Sequence, residues 1–312
     1  MHILCYVWDM TLQQLKYAVA VADCQNMTEA AKKVFISQPS LTAAIHELEA
    51  EMGVVLFSRT NKGVTVTNDG DVFLGYARQV LEQASLLEER FVGQKSRTPK
   101  LCVSCQHYSF AVEAFVDVIR EYGGSSYDFM LRETQTYKII EDVSRLKSEV
   151  GVLYMSAQNE EYISRLLTKS SLVFEELFVA RPHVFISSKN PLAKKKHIHL
   201  NDLKPFPCLT YEQGDHNSFY FSEELLSSME HDKNIKVSDR ATLFNLVIGL
   251  NGYTICSGVI STELNGENIV ARPLDVNEYM RIGTITQKDI KPSSYAQSYL
   301  AFLKKHTAVC AR

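Results

Sequence analysis

The sequence predicts an N-terminal winged helix-turn-helix of all-α type, a long linker helix, and an α/β domain built in two parts. Three observations carry this. Apolar residues fall at helical spacing over 27–52, an amphipathic stripe runs over 68–94, and from Leu101 onward short apolar strands alternate with helices. With 312 residues, 46% of them hydrophobic, and no low-complexity tract, the chain can form two to three compact units. Its formal charge of -3 supplies no global basic field.

The first unit is expected over 10–67. Ala30, Ala31 and Val34 recur at helical spacing and are small enough for close helix crossing, with Phe35 and Ile36 expected to close the turn against the core. Ser37 is a good N-cap, and Pro39 sits in the first turn, where its missing N–H is harmless. Leu41, Ile45 and Leu48 then face inward, leaving Gln38, Pro39, Thr42, Ala43 and His46 on the outer face. That face is slim enough for a major groove. Gln38 and His46 can hydrogen-bond base edges, Thr42 can reach a base or phosphate, and Ala43 can lie against a thymine methyl. Gly53 suits the helix C-cap, and the alternation Val64-Thr65-Val66-Thr67 reads as a wing, with Arg59 and Lys62 placed for flanking phosphates. The same periodicity also suits a three-helix packing unit with no ligand.

Residues 11–70 decide between these, because they resemble the DNA-binding domain of LysR-type transcriptional regulators. The shared features are LQQLKYAVAVAD, the TEAAKKV helix, SQPSLTAAIHELEAEMGVVLF, an RT pair and VTNDG. The resemblance implies base-reading or phosphate roles for Thr28, Ser37, Gln38, Ser40, Thr42 and Arg59, with Pro39 opening the helix. One departure is plain. Such helices commonly carry an arginine or lysine outward, whereas this one offers Ala43 and His46 followed by Glu47, Glu49 and Glu51.

The linker helix is expected over 68–95. Thr67 caps it, Asp69 and Asp71 suit its positive end, and Val72, Phe73, Ala77, Val80, Leu81, Ala84, Leu87 and Phe91 form the stripe. A helix between two domains has little of its own chain to cover such a stripe, so pairing with a second copy is expected, and the resemblance implies the same. Residues 96–100 read as a hinge.

From Leu101 the segments LCVSC, YDFMLRET and EVGVLYM read as strands of a parallel sheet, with FAVEAFVDVIREY and TYKIIEDVSRLK as helices. HVFISS, PCLTYE, KVSDR, YTICS and IVARPL follow, with helices at FYFSEELLSSM, ATLFNLVIGLN and SYAQSYLAFLKKH. This half resembles the LysR-type effector-binding domain, which implies two subdomains folded like periplasmic binding proteins, here at 101–165 plus 270–312 and at 170–268. Ligands in such sheets bind beyond the carboxyl ends of strands. That rule selects Cys105, Gln106, His107, Tyr108 and Ser109, then Thr210, Tyr211, Glu212 and Gln213, with Tyr154, Met155, Cys256, Ser257 and Gly258 as secondary candidates.

Other classes fit less well. Cys105 with His107, or Ser104 or Ser109 with His107, can be drawn as catalytic pairs, but no nucleophile-elbow sequence is present, so no enzyme activity is expected. Cys102 and Cys105 form a CxxC whose side chains leave opposite faces of a strand, and seven cysteines fit reduced thiols. Neither metal nor cofactor is expected, and KKKHIH at 194–199 reads as a solvated turn. A solute receptor without DNA regulation is the main alternative. MHILCYVWD at 1–9 is too short to span a bilayer and lacks a basic region and cleavage site, so it is expected to be dispensable and the protein cytoplasmic. The expected partners are promoter DNA, a small effector such as an amino acid or carboxylate, a second copy or a tetramer, and RNA polymerase, with no membrane.

Overall fold

The computed structural model describes residues 10–60, 63–91, 99–124, 126–216 and 218–308. The chain divides into two compact units, 1–97 and 98–312.

The first unit contains α1 (Leu12–Cys24), α2 (Met27–Lys33), α3 (Gln38–Met52), the hairpin strands β1 (Phe57–Thr60) and β2 (Gly63–Val66), and α4 (Asn68–Phe91). Each helix start has a polar cap: Thr11 and Gln14 form a capping box on α1, Asn26 accepts from Thr28 and Glu29 N–H, and Ser37 accepts from Ser40 N–H. Gly53 ends α3 in the left-handed region at φ 66°. Leu41, Ile45 and Leu48 face a core completed by Val21, Ala30, Ala31 and Leu56. At Gly70 a Cβ would lie 2.1 Å from the Leu56 carbonyl oxygen, so only glycine lets α4 cross there. The Thr67 hydroxyl accepts from Gly70 N–H and caps α4.

Two expectations change here. Phe35 does not pack on the core: it is 93% exposed, at φ 58°, while Ile36 alone turns inward. The turn needs a left-handed residue, and that backbone aims the Phe35 side chain at solvent. On α4 the inner face is Leu74 and Ala77, with Phe73 half-buried, whereas Val72, Tyr76, Val80 and Leu87 are exposed. Leu81 and Ala84 are half-buried, and the Phe91 side chain lies outside the described residues.

The second unit runs β3 (Lys100–Cys105), α5 (Ser109–Tyr122), β4 (Asp128–Glu133), α6 (Thr136–Ser144), β5 (Val150–Met155), α7 (Glu160–Lys169), β6 (Leu172–Ala180) and β7 (His183–Ser187). It continues with α8 (Leu200–Leu203), β8 (Cys208–Tyr211), β9 (Asn234–Val237), α9 (Arg240–Leu250), β10 (Tyr253–Cys256), α10 (Thr262–Asn265), β11 (Ile269–Pro273), β12 (Met280–Gln287) and α11 (Ser294–Thr307). These make two five-stranded sheets, ordered β4-β3-β5-β12-β6 and β11-β7-β10-β8-β9. β5 is buried along its whole length, which is why its sequence is almost continuously apolar.

Both sheets are mixed rather than parallel. β12 runs antiparallel to β5 and β6, and β7 antiparallel to β10 and β11. β6 completes the first sheet and β11 the second, so the chain crosses between sheets after Ala180 and after Pro273 instead of near residues 170 and 270. The expected helix at FYFSEELLSSM is absent. A 3-10 turn at Phe219–Phe221 leads into turns, because the Glu223 and Glu224 side chains are committed to groups on neighbouring segments. No helix among the described residues is long and apolar enough to cross a membrane.

Phe35 carries a left-handed backbone that asparagine tolerates better. Phe35→Asn is expected to raise stability by about 0.5–1 kcal/mol, read as a higher urea midpoint. A lower midpoint would mean the ring packs in solution.

Candidate DNA-reading helix and effector junction

On α3, Pro39, Ser40, Ala43 and His46 are exposed, and Gln38 and Thr42 are half-buried. Gln38 Nε2 donates to Thr42 Oγ1 at 2.9 Å, and the Ser37 and Ser40 hydroxyls are 2.7 Å apart. These bonds order a polar row along one face. Thr28 lies exposed in the first turn of α2. The acidic end of α3 is less repulsive than its sequence implies. Glu49 Oε1 accepts from Leu56 and Phe57 N–H at 2.7 and 3.1 Å, tying the helix to the hairpin, and its other oxygen lies 3.4 Å from His46 Nδ1. Glu51 accepts from Met10 N–H, while Glu47 is exposed. Arg59 stands in β1 opposite Val64, but its side chain and Lys62 lie outside the described residues.

In the second unit the carboxyl ends of β3, β4, β8 and β9 converge. Gln106, following β3, is fully buried and wholly engaged: Nε2 donates to Thr136 Oγ1 at 2.6 Å, and Oε1 accepts from Tyr108 O–H and Tyr154 N–H, each at 3.0 Å. It positions the loop. His107 crosses to the other subdomain. Its backbone N–H donates to Glu223 Oε2 at 3.1 Å, its Nδ1 lies 2.9 Å from the same oxygen, and its ring stacks on Tyr211 with centroids 3.8 Å apart. Burial pulls the His107 imidazole down, but the charge and hydrogen bond of Glu223 outweigh it and the net shift is upward.

Further bonds bridge the same gap. Gln213 accepts from Thr136 N–H at 3.1 Å, Gln135 donates to Glu212 at 3.0 Å, and Ser109 Oγ accepts from Ser261 N–H at 3.1 Å, while within the second subdomain Gln213 also donates to Glu223 at 3.3 Å. Arg240, at the start of α9, lies 3.1 Å from Glu133 at the end of β4. That contact joins Arg240 Nη2 to Glu133 Oε1, while Arg240 Nη1 is buried without a hydrogen-bond partner. Burial raises the Glu133 carboxyl against the opposing pull of Arg240.

The two strand-end clusters selected from sequence therefore meet at one junction. The strand-end rule extends equally to Gln135 and Thr136 after β4 and Arg240 after β9, none of which the sequence reading selects; Glu223 and Glu224 sit in a segment whose pattern suggests a helix. Cys105 is completely buried, with its thiol pushed up by burial and by Glu133. Ser104 donates to Asp142 and is bonded to Ser148, away from any catalytic pairing with His107. Of the remaining candidates, Tyr154 supports the junction by donating its N–H to Gln106, whereas Cys256 contacts the His183 carbonyl and Ser257 accepts from Val259 N–H, away from the bridging residues.

Thr210, Tyr211 and Gln213 also line a cavity of about 210 Å³ between the β8–β9 face and residues 218–231. Glu224 closes its inner side, accepting from Tyr211 N–H at 2.9 Å and from the Ser222 hydroxyl at 3.2 Å.

A DNA-reading helix joined to a two-part α/β sensing domain defines a ligand-responsive transcriptional regulator. The profile described as the bacterial regulatory helix-turn-helix protein, lysR family, matches residues 12–71, and that of the LysR substrate binding domain matches residues 126–308, so the chain belongs to the LysR family. It is 44% identical over 81 residues to the HTH-type transcriptional regulator TcbR of Pseudomonas sp. (strain P51), covering 26% of this chain and 28% of that protein. It is 25% identical to AlsR of Bacillus subtilis (strain 168) over 77% of each chain. The structure of a full-length OxyR variant from Pseudomonas aeruginosa shares the fold with a TM-score of 0.67, at 21% identity over 97% of this chain and all of that one.

Burial, and next the charge of Glu223, push the Glu224 carboxyl up to about 8 from the usual 4.5. The folded state then holds a proton the unfolded chain releases at lower pH. The resulting stability is complete below about 4.5 and disappears as pH rises through about 8. His107, also raised, acts in the same direction. From pH 5 to pH 8 the wild type is expected to lose a few kcal/mol relative to Glu224→Gln in urea titrations. Parallel pH profiles would contradict the assignment.

Proposed function

We propose that this protein binds promoter DNA as a dimer or tetramer and changes transcription when a small carboxylate or amino acid engages the effector junction. In this reading Gln38, Pro39, Ser40, Thr42, Ala43 and His46 face base edges, while Thr28, Ser37, Arg59 and Lys62 hold phosphates. The slim, polar outer face of α3 is the observation that carries it. Weak basicity makes affinity depend on pairing two reading heads, for which the exposed line Val72, Tyr76, Val80 and Leu87 on α4 offers an apolar seam.

At the junction, Glu223 supplies from within the anion that an effector carboxylate would otherwise place against His107. A ligand carboxylate competing for His107 and the spare N–H of Arg240 favours one arrangement of the subdomains over another. That differential affinity is what transmits the signal to DNA. The reading places the protein in the cytoplasm, acting on RNA polymerase at its promoters.

Gln38→Ala is expected to cost roughly 1–3 kcal/mol of operator affinity and to relax sequence preference, measured by mobility shift on the DNA upstream of its own gene. Unchanged affinity would displace Gln38 from the reading face. Val80→Asp with Leu87→Asp is expected to convert the oligomer to monomers in light scattering and to weaken the shift; an intact oligomer would assign pairing to another surface.

A further inference from the structure

The cavity between the β8–β9 face and residues 218–231 lies in the second subdomain alone. It shares Tyr211 and Gln213 with the junction, but His107, Thr136 and Arg240 do not line it. It exists because residues 222–229 turn rather than form a helix against the sheet, with Leu226 at φ 60°. At roughly 30 Å³ per water, about 210 Å³ has room for roughly seven waters, or for a ligand of about six to ten heavy atoms.

Its two ends differ in chemistry. The inner end presents Glu224, 3% exposed, among Cys208, Leu225 and Ile255. The hydrogen bonds to this carboxyl come from neutral donors, Tyr211 N–H and the Ser222 hydroxyl, and no cation pairs with it among the described residues. The ionisable groups that sense it are Glu223, Tyr108, Tyr154, Cys208, Tyr211 and Cys256, none of them cationic. A buried carboxyl in such surroundings, facing an open volume, is complementary to a positive group from outside. The outer end carries the exposed Asn234 and Lys236, with His231 beside them. That end suits an anion.

We propose that this cavity is a second ligand site, for a small amino acid whose ammonium meets Glu224 and whose carboxylate turns toward Asn234 and Lys236. On binding, Glu224 gives its proton to water and the ligand remains a zwitterion, so one carboxylate–ammonium pair forms and one proton is released. Glu224 then bears a charge next to Glu223, the residue that holds His107 across the subdomains, so occupancy of this cavity weakens the junction contact by like-charge repulsion.

Calorimetric titration and thermal shift of the full-length protein at pH 7 test this, with L-serine and 4-aminobutanoate as probes and butanoate as the amine-free control. The expected result is that at least one amino acid binds, raises the melting temperature and releases close to one proton, read from the heats in two buffers. Glu224→Gln should weaken that binding about tenfold or more and remove the proton release. Ser227→Phe, filling the cavity from another wall, should block binding, and Arg240→Ala, which loosens the junction, should leave binding as tight as in the wild type or tighter. The proposal falls if neither amino acid binds, if butanoate binds as tightly and is blocked equally by Ser227→Phe, or if Glu224→Gln binds the amino acids as the wild type does. Loss with Arg240→Ala alone would assign the ligand to the junction instead.

Discussion

The contact on which the sensing domain turns is a carboxylate shared between a backbone N–H and an imidazole. Glu223 Oε2 takes both from His107, and the His107 ring lies flat on Tyr211. Two buried ionisable groups are a costly way to join subdomains, since replacing such a pair by apolar side chains is often neutral or stabilising. What the polar version adds is reversibility. An apolar junction responds to little besides area, whereas a charged one can be outcompeted by another anion or altered by a proton.

Its surroundings fit that role. One shared apolar core runs from the first sheet through Phe178, Ala180, Val184 and Ile186 into the second, so the subdomains are joined firmly where β6 leads to β7 and β11 to β12. Beyond the strand ends the bridges are mainly side chains: Gln213 to Thr136, Gln135 to Glu212, Arg240 to Glu133. Strands and a shared apolar core thus join the subdomains on one side, and polar side-chain contacts join them on the other. Arg240 Nη1, buried without a hydrogen-bond partner beside this ion pair, leaves hydrogen-bonding capacity unused at the junction.

Legibility from sequence follows the reach of each signal. α3 is readable because its cap, its proline and its inner triad Leu41, Ile45 and Leu48 are all local. The strand-end rule finds His107, Tyr211 and Gln213 because it needs only strand positions. β6 escapes because LVFEELFVA carries two adjacent glutamates in an edge strand, and β12 because its partners β5 and β6 lie about a hundred residues or more away in sequence. Glu223 and Glu224 are hidden by a helical apolar period around them. Phe35 departs from expectation for a related reason: apolar character argues for burial, but a left-handed backbone dictates the direction of a side chain before hydrophobicity does.

The same competition between local pattern and distant partner explains the acidic end of α3. Read alone, Glu47, Glu49 and Glu51 argue against a helix that approaches phosphate. In the fold, Glu49 is spent on the Leu56 and Phe57 N–H groups and Glu51 on Met10 N–H, so two of the three stabilise the domain's own joints. The hairpin is thereby tied to the reading helix through this carboxylate, beside the apolar packing of Phe57 and Val64 in the shared core. His46, 3.4 Å from that carboxylate, stands where the stability of the hairpin and the charge of the outer face meet. A helix with so few cations gains specificity at the expense of general phosphate affinity, since base contacts discriminate and phosphate contacts only position. In the proposed reading such a head binds weakly alone, which is the physical argument for presenting it in pairs, with the exposed side chains of α4 as the proposed seam.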